Sequence, residues 1–359
     1  MKFQYNAWYV AALPSQINRE LIRRTILSEP VLLFRREDGT PVAIKDRCPH
    51  RFAPLSLGSL IGDAVQCKYH GLRFGSDGKC VLNPHGPITQ YMAVRKFPIV
   101  ERHDLCWIWM GNPDQANTEM IPDMSYLTER AISRSAHSYL KTDYRYDVLI
   151  DNLMDLSHAE YLHVGSLSGG SPESVEYSVT EQKNEVIFTR KELRAPPFPT
   201  AGTPNIRGLQ DVTITIHWHV GQVIKFELRS RPSNDPSSEP TLVRFAHIAT
   251  PETASSTHYF MSVTRYENIE DKTLDGVMKQ LQVSAIDTED GPMLQAVDRE
   301  MEGVDLLELR PVSLPSDEGA LRVRRVMRRL LKQEEDGCRG DVGKGAETSS
   351  SGSTVARTG

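Results

Sequence analysis

Two short segments, Cys48-Pro49-His50 and Cys67-Lys68-Tyr69-His70, each set one thiol beside one imidazole, and sixteen residues separate His50 from Cys67. Two thiolates and two imidazoles drawn from two loops suit either a tetrahedral Zn²⁺ or a two-iron cluster in which one iron takes both sulfurs and the other both nitrogens. Structural zinc modules usually pair cysteine with cysteine and histidine with histidine, whereas each segment here is mixed; this favours the cluster and leaves zinc open. Neutral imidazoles in place of two thiolates make such a cluster less negative, easier to reduce and responsive to proton movement, so its chemistry is to hold and pass on an electron. The backbone N–H groups of the two loops are the natural donors to its sulfurs. Cys80 and Cys106 have no histidine at ligand spacing and read as buried thiols.

A second concentration lies in residues 151–163, where three acids and two imidazoles fall within thirteen positions. A non-haem Fe(II) that must meet O₂, electrons and a substrate wants two histidines and a carboxylate on one side, with the opposite positions open. His158 and His163 offer the imidazoles. On an ideal α-helix they would stand about 140° apart, so the helix is expected to end, loosen or carry a π-bulge between 157 and 163. Asp155, three residues before His158, is placed about one turn earlier on the same face, where its carboxylate can accept a hydrogen bond from an imidazole. The third ligand must come from Asp275, Asp287, Glu289 or Asp290. Asp290 is preferred because it shares an otherwise apolar helical face with Ile286, Met293 and Val297, where an unpaired carboxylate is costly and a metal-bound one is not. Pro292 can kink or restart that helix.

The elements that must carry these residues follow from periodicity. Residues 30–113 read as short apolar runs cut by Asp38-Gly39 and Asp77-Gly78 turns, which is hairpin patterning, and residues 1–115 are expected to form a small all-β domain. After the Gly111-Asn112-Pro113-Asp114 turn the pattern changes, and residues 116–335 are expected to be α+β: helical spacing in 146–162, strand alternation in 175–193, 212–228 and 242–266, then helices to the end. The segment 321–331 interleaves Leu321, Val323, Val326, Met327, Leu330 and Leu331 with five arginines; it reads as an amphipathic helix with a solvated basic face or, more sharply, as a docking face for an acidic electron donor. Residues 336–359, Cys338 included, are rich in Gly, Ser and Thr and are expected to be a disordered tail.

Composition narrows the class. A chain of 359 residues with 39% hydrophobic and 25% charged residues is an ordinary globular protein of about two domains. A net charge of −5 offers no basic field for nucleic acid, and no run of 18 apolar residues is present to span a membrane. The N-terminus lacks a secretory apolar core, so a cytoplasmic protein is expected, with its five cysteines acting as thiols or metal ligands. No Gly-x-Gly-x-x-Gly motif follows a strand, which assigns NAD(P)H and flavin to a separate reductase.

Taken together, these residues resemble the oxygenase component of Rieske non-haem iron oxygenases, and within that family the vanillate O-demethylase and dicamba monooxygenase branch. The resemblance rests on the segments at 6–11, 48–58, 67–74, 152–158 and 247–253. It implies an N-terminal Rieske domain followed by a helix-grip-like catalytic domain whose curved antiparallel sheet encloses the substrate. It further implies that Cys48, His50, Cys67 and His70 hold a 2Fe–2S cluster and that His158, His163 and Asp290 hold a mononuclear Fe(II). Asn152 and Asp155 would act beside the iron, Asp155 as a bridge between centres, and His247 would contact substrate. The implied activity is O₂-dependent demethylation or methyl hydroxylation of an aromatic acid, fed by a reductase or ferredoxin, in a head-to-tail homotrimer. A ring-hydroxylating dioxygenase subunit, a Rieske-type electron carrier and a zinc-binding interaction protein are the alternatives.

Overall fold

The computed structural model describes residues 3–197 and 208–346, with side chains up to 336. The short apolar runs of the N-terminal part become eleven strands. They are β1 (Trp8–Ala12), β2 (Ile22–Ile26), β3 (Glu29–Arg35), β4 (Pro41–Lys45), β5 (Ser59–Ile61) and β6 (Ala64–Gln66), followed by β7 (Arg73–Phe74), β8 (Cys80–Leu82), β9 (Lys96–Phe97), β10 (Ile99–Arg102) and β11 (Leu105–Trp109). They form antiparallel sheets in the orders β2-β3-β4-β9, β5-β6-β7-β8 and β1-β11-β10. Leu32, Phe34, Ile44, Leu55, Val65 and Phe74 fill the space between the two four-stranded sheets, together with Cys48, Cys67 and Cys80. Burial pushes the Cys106 thiol up to about 12, so it stays protonated inside β11.

The segment after β11 works as packing between the two halves. Three 3₁₀ turns lie between 113 and 127, and Ile121, Met124, Tyr126 and Leu127 pack with Trp107 and Trp109 on one side and Ala246, Ile248 and Phe260 on the other. Hydrogen bonds cross the same seam: Thr250 Oγ1 donates to the Val10 carbonyl at 2.8 Å, and His258 Nε2 lies 2.9 Å from the Thr25 carbonyl.

The C-terminal half is built on one seven-stranded antiparallel sheet. The chain lays down β12 (Arg134–Thr142) at one edge and crosses over through α1 (Tyr146–Met154) and α2 (Ala159–Leu162). It then begins β13 (Ser174–Gln182) at the far edge. From there β14 (Glu185–Ala195), β15 (Gln210–His219), β16 (Val223–Pro232), β17 (Thr241–Pro251) and β18 (Thr257–Arg265) meander back until β18 pairs with β12. Side chains alternate between faces. One face carries Phe188, Ile216, Trp218, Ile224, Phe245 and Tyr259 and packs on α1 and the late helices; the other meets the N-terminal domain through β16–β18. Covered on both sides, β18 is buried at every position.

After β18 come α3 (Thr273–Ser284), a six-residue π-helical segment (Ala285–Asp290), α4 (Gly291–Glu300), α5 (Leu306–Leu309) and α6 (Glu318–Ala346). The observed architecture is the expected one, an all-β domain followed by an antiparallel sheet with helices. The helix α6 runs past position 336, where the sequence pattern places the start of a tail, and residues 347–359 lie outside those described. Its apolar positions Val323, Val326, Met327 and Leu330 are buried as their spacing requires. The arginines are largely spoken for within the chain: Arg329 pairs with Glu181, Arg328 with Asp305 and Arg322 with Glu318, while Arg324 is buried against Asp147 and Asp151. That pairing removes most of the charge a basic docking face would need.

Candidate metal centres

The first centre sits on the β5–β8 sheet. The Cys-x-His and Cys-x-x-His loops follow β4 and β6 and close alike: Phe52 N–H donates to the Cys48 carbonyl and Gly71 N–H to the Cys67 carbonyl, each at 3.0 Å. Both loops turn back through a left-handed residue, Phe52 at φ 61° and Gly71 at φ 74°; glycine takes that conformation freely, and Arg47 stacked on the Phe52 ring at 4.0 Å holds the other. Asp46, fully buried, anchors the first loop by accepting from the Ser56 N–H and hydroxyl at 2.7 Å. Cys48 and Cys67 are buried and unbridged, within electrostatic reach of one another, and the His50 and His70 rings lie 4.5 Å apart toward the surface. Burial raises the Cys48 thiol, while backbone N–H donors from His50 and Arg51 oppose that rise. Buried thiols below, imidazoles above and N–H groups aimed at sulfur fit a cluster with one thiolate-bound and one imidazole-bound iron.

The second centre is assembled from two distant segments. Helix α1 stops at Met154, residues 156–158 make a 3₁₀ turn, and a single α-turn (α2) delivers His163 at its C-terminal end. That broken path is the expected one, and it brings the His158 and His163 rings to 5.2 Å. Asp290 ends the π-helical segment, and its Oδ1 lies 3.2 Å from His163 Nε2 and 3.6 Å from His158 Nε2. The three ligand atoms all fall within 4.8 Å of one another. Two imidazoles and one buried carboxylate converging on a common point fit a single dication with open positions.

The partners of each imidazole fix which nitrogen faces inward. His158 Nδ1 bonds the backbone carbonyl of Asp155, leaving Nε2 toward Asp290. This corrects the expected role of the Asp155 carboxylate. Its Oδ1 instead caps the 3₁₀ turn, accepting from Ser157 N–H at 2.9 Å, because a short acceptor at that position satisfies a free turn N–H locally. His163 Nδ1 bonds Glu289 at 2.5 Å, and Ser166 Oγ donates to the same carboxylate oxygen at 2.8 Å. Burial lowers the His158 pKa. On His163 burial opposes charge, but the adjoining Asp290 and Glu289 carboxylates outweigh it and raise the pKa. Asn152 Nδ2 lies 3.1 Å from Asp290 Oδ1 and 3.4 Å from His158 Nε2, and its Oδ1 is buried without a partner.

The apolar-face argument that singled out Asp290 is corrected in its details. Met293 and Val297 are 52% and 39% exposed, and the buried neighbour on α4 is Leu294. A π-turn adds a residue to the coil and rotates everything beyond it, so an α-period laid across it reads the wrong side. Of the other acids weighed, Asp275 pairs with Arg134 and Arg265. Beside the centre, His247 projects from β17, with its Nδ1 2.7 Å from the Tyr259 hydroxyl and its ring against Phe226 and Phe245. Burial lowers its pKa to about 4, so at neutral pH it is a neutral polar group among aromatic side chains, within electrostatic reach of Asp290. Sequence spacing missed Glu289 as the His163 partner and Tyr259 as the His247 partner. It also missed the buried Arg324, which grips both Asp151 oxygens at 2.8 Å from Nε and lies 3.1 Å from Asp147, tying α1 to α6.

Comparison with known proteins matches this geometry. Residues 7–98 match the Rieske [2Fe-2S] domain, and residues 142–333 match the vanillate O-demethylase oxygenase C-terminal domain. The chain is 38% identical to the oxygenase component of dicamba O-demethylase from Stenotrophomonas maltophilia, over 93% of this chain and 99% of the relative. It is 36% identical to the oxygenase component of chloroacetanilide N-alkylformylase from Rhizorhabdus wittichii, over 92% and 97%. The crystal structure of dicamba monooxygenase bound to dicamba superposes with a TM-score of 0.85 at 37% identity, covering 94% of this chain and all of that one. No described helix is long and apolar enough to cross a membrane. The chain therefore belongs to the Rieske non-haem iron monooxygenases of the vanillate and dicamba O-demethylase family, as an oxygenase component that carries a Rieske 2Fe–2S cluster and a mononuclear iron and draws electrons from a separate donor protein.

Proposed function

We propose that this oxygenase removes a methyl group from a small methoxylated aromatic acid, in the reducing cytoplasm. Cys48, His50, Cys67 and His70 hold the cluster, and His158, His163 and Asp290 hold the iron. The observation that carries the reading is the meeting of those three side chains on the sheet face where the neutral His247 stands among Phe226, Phe245 and Tyr259. When bound, the iron supplies O₂ activation and the cluster supplies an electron; the protein's part is to orient, shield and time that chemistry.

Each side chain's task follows from its contacts. Phe226 and Phe245 receive the aromatic ring and exclude water. His247, with Nδ1 accepting from the Tyr259 hydroxyl, offers Nε2–H to a substrate oxygen and turns the methyl-bearing carbon toward the triad. Asn152 orients Asp290 through the 3.1 Å contact. A methyl carbon hydroxylated beside an ether oxygen is a hemiacetal, which falls apart to a phenol and formaldehyde without further help from the protein.

Electron entry rests on a second chain. His50 and His70 border a surface cavity of about 640 Å³, with Tyr91, Met92 and His85 on its walls. A head-to-tail ring of three chains seats the neighbour's catalytic domain there, with Asp155 as the link: its backbone carbonyl holds His158 Nδ1, and the carboxylate oxygen not used in the turn cap reaches the neighbour's cluster imidazole. The test is anaerobic reconstitution followed by turnover of methoxylated and methylated aromatic acids with a surrogate reductase. About three irons and two acid-labile sulfides per chain, with formaldehyde formed one-for-one with O₂ consumed, are expected. A cis-diol product, or turnover undiminished in His158→Ala, overturns the reading.

A further inference from the structure

A third cluster of ligating side chains lies on the opposite face of the catalytic sheet. His217 and His219 stand two apart on β15 and so project to the same side, their rings nearly parallel at 12° and 6.4 Å between centroids. Glu185 on β14 pairs in register with His219 and reaches across both: its Oε1 is 2.7 Å from His217 Nδ1 and 3.4 Å from His219 Nε2. The intervening Trp218 points the other way, into the core against α6, so the sheet separates this cluster from His158, His163 and Asp290.

We propose that Glu185, His217 and His219 form a further binding site for a divalent cation of the Zn²⁺ type, held as a clip between β14 and β15. Two imidazoles with one carboxylate suit borderline ions such as Zn²⁺ and disfavour Mg²⁺ or Ca²⁺, which want oxygen shells. Ligands about 2.1 Å from a tetrahedral ion stand about 3.4 Å apart, so the Glu185–His219 pair at 3.4 Å is already at metal-binding separation. The Glu185–His217 pair is closed as a hydrogen bond at 2.7 Å and has to open by about 0.7 Å. His219 Nε2 is buried and makes no hydrogen bond, which leaves that nitrogen open to a ligand role. The three side chains keep modest exposure, 18–32%, which leaves an entry path and room for water as a fourth ligand. Lys225 lies opposite His217 on β16, and its ammonium opposes a cation here. That weakens cation binding and provides a lever.

The test uses untagged holoprotein with cluster and iron in place, equilibrated with Zn²⁺ alone. Elemental analysis counts zinc, iron and acid-labile sulfide, and thermal unfolding reads stabilisation. One zinc per chain with no loss of iron or sulfide, and a higher Tm, are expected. His219→Ala and Glu185→Gln should each weaken zinc binding by tenfold or more, and Lys225→Met should tighten it several-fold. If His219→Ala does not fold, Glu185→Gln and the gain in Lys225→Met decide alone. Zinc that enters only as iron leaves, uptake unchanged by these substitutions, or none at 100 μM Zn²⁺ overturns the proposal.

Discussion

Removal of the Glu289 carboxylate should empty the mononuclear site while leaving the cluster intact. His163 presents Nε2 to the centre because its Nδ1–H is engaged at 2.5 Å by Glu289, which Ser166 holds in turn at 2.8 Å. In Glu289→Ala the imidazole is free to carry its proton on Nε2, the atom 3.2 Å from Asp290, and that proton must leave before a metal can bind. Loss of such a supporting carboxylate lowers metal affinity by about 10–100-fold, equivalent to about 1.4–2.7 kcal/mol. Glu289→Gln, which keeps an acceptor but not the charge, should fall between. The assay is anaerobic competition for Fe(II) with a chelator of known affinity, with cluster absorbance and acid-labile sulfide as internal controls. Wild-type Fe(II) affinity in Glu289→Ala would refute the argument, as would loss of cluster and iron together, since that signals unfolding.

Arg324→Met should destabilise the catalytic domain by about 3–5 kcal/mol, read as a fall in Tm, because it strands the buried carboxylates of Asp147 and Asp151; a change under about 1 kcal/mol would contradict the assigned clamp. His258 predicts acid sensitivity of the domain seam. Burial, aided by nearby Arg24, lowers its pKa from 6.5 to about 4, so its contribution is complete above 6.5 and is lost as pH falls toward 4, at most about 3 kcal/mol. The Tm of wild type should drop through that window and that of His258→Gln should drop less; parallel curves would remove His258 as the cause. Gly291→Ala should shed iron and cost about 1–3 kcal/mol, since an added Cβ would stand 2.6 Å from the Ile286 carbonyl oxygen; full iron occupancy would show that the π-turn tolerates the methyl. His247→Phe should raise KM for an acidic or phenolic substrate more than it lowers kcat, measured by formaldehyde release; unchanged KM would take His247 out of the substrate site.

Local contacts were legible in the sequence; of the long-range ones Asp290 was selected, and most of the others were not. The cluster loops could be read because each supplies its own thiol, imidazole and closing turn within five residues, from Cys48 to Phe52 and from Cys67 to Gly71. The break in the helix before His163 could be read because no regular helix brings positions 158 and 163 to one point. Glu289 was among the acids considered, but its partner lies 126 residues away and nothing in spacing selects it over Asp287. Asp155 was assigned to the right imidazole through the wrong atom, since periodicity locates a residue and says nothing of whether backbone or side chain makes the bond. The five arginines at 322–329 showed their charge but not the Glu181, Asp305 and Asp151 carboxylates that consume it.

The Gly291-Pro292 pair shows how a residue that argues against a helix can be the reason a site exists. Proline has no N–H and its ring crowds the carbonyl four residues earlier, so a plain α-helix through Pro292 would be broken at Thr288. Here the strain is met by widening the coil: Gly291 N–H reaches back five residues to the Ile286 carbonyl, an approach that leaves no room for a Cβ. Adjacent residues on an α-helix point about 100° apart, yet Glu289 and Asp290 must reach opposite nitrogens of one imidazole, Nδ1 and Nε2 of His163. Both acids come from the π-turn, and Asp290 lies buried at its end, facing His158 as well. A chain with an ordinary helix-former at 292 would keep the same two acids and lose the shared target, which is why the ligand set depends on the backbone at 291–292 as much as on the carboxylates before it.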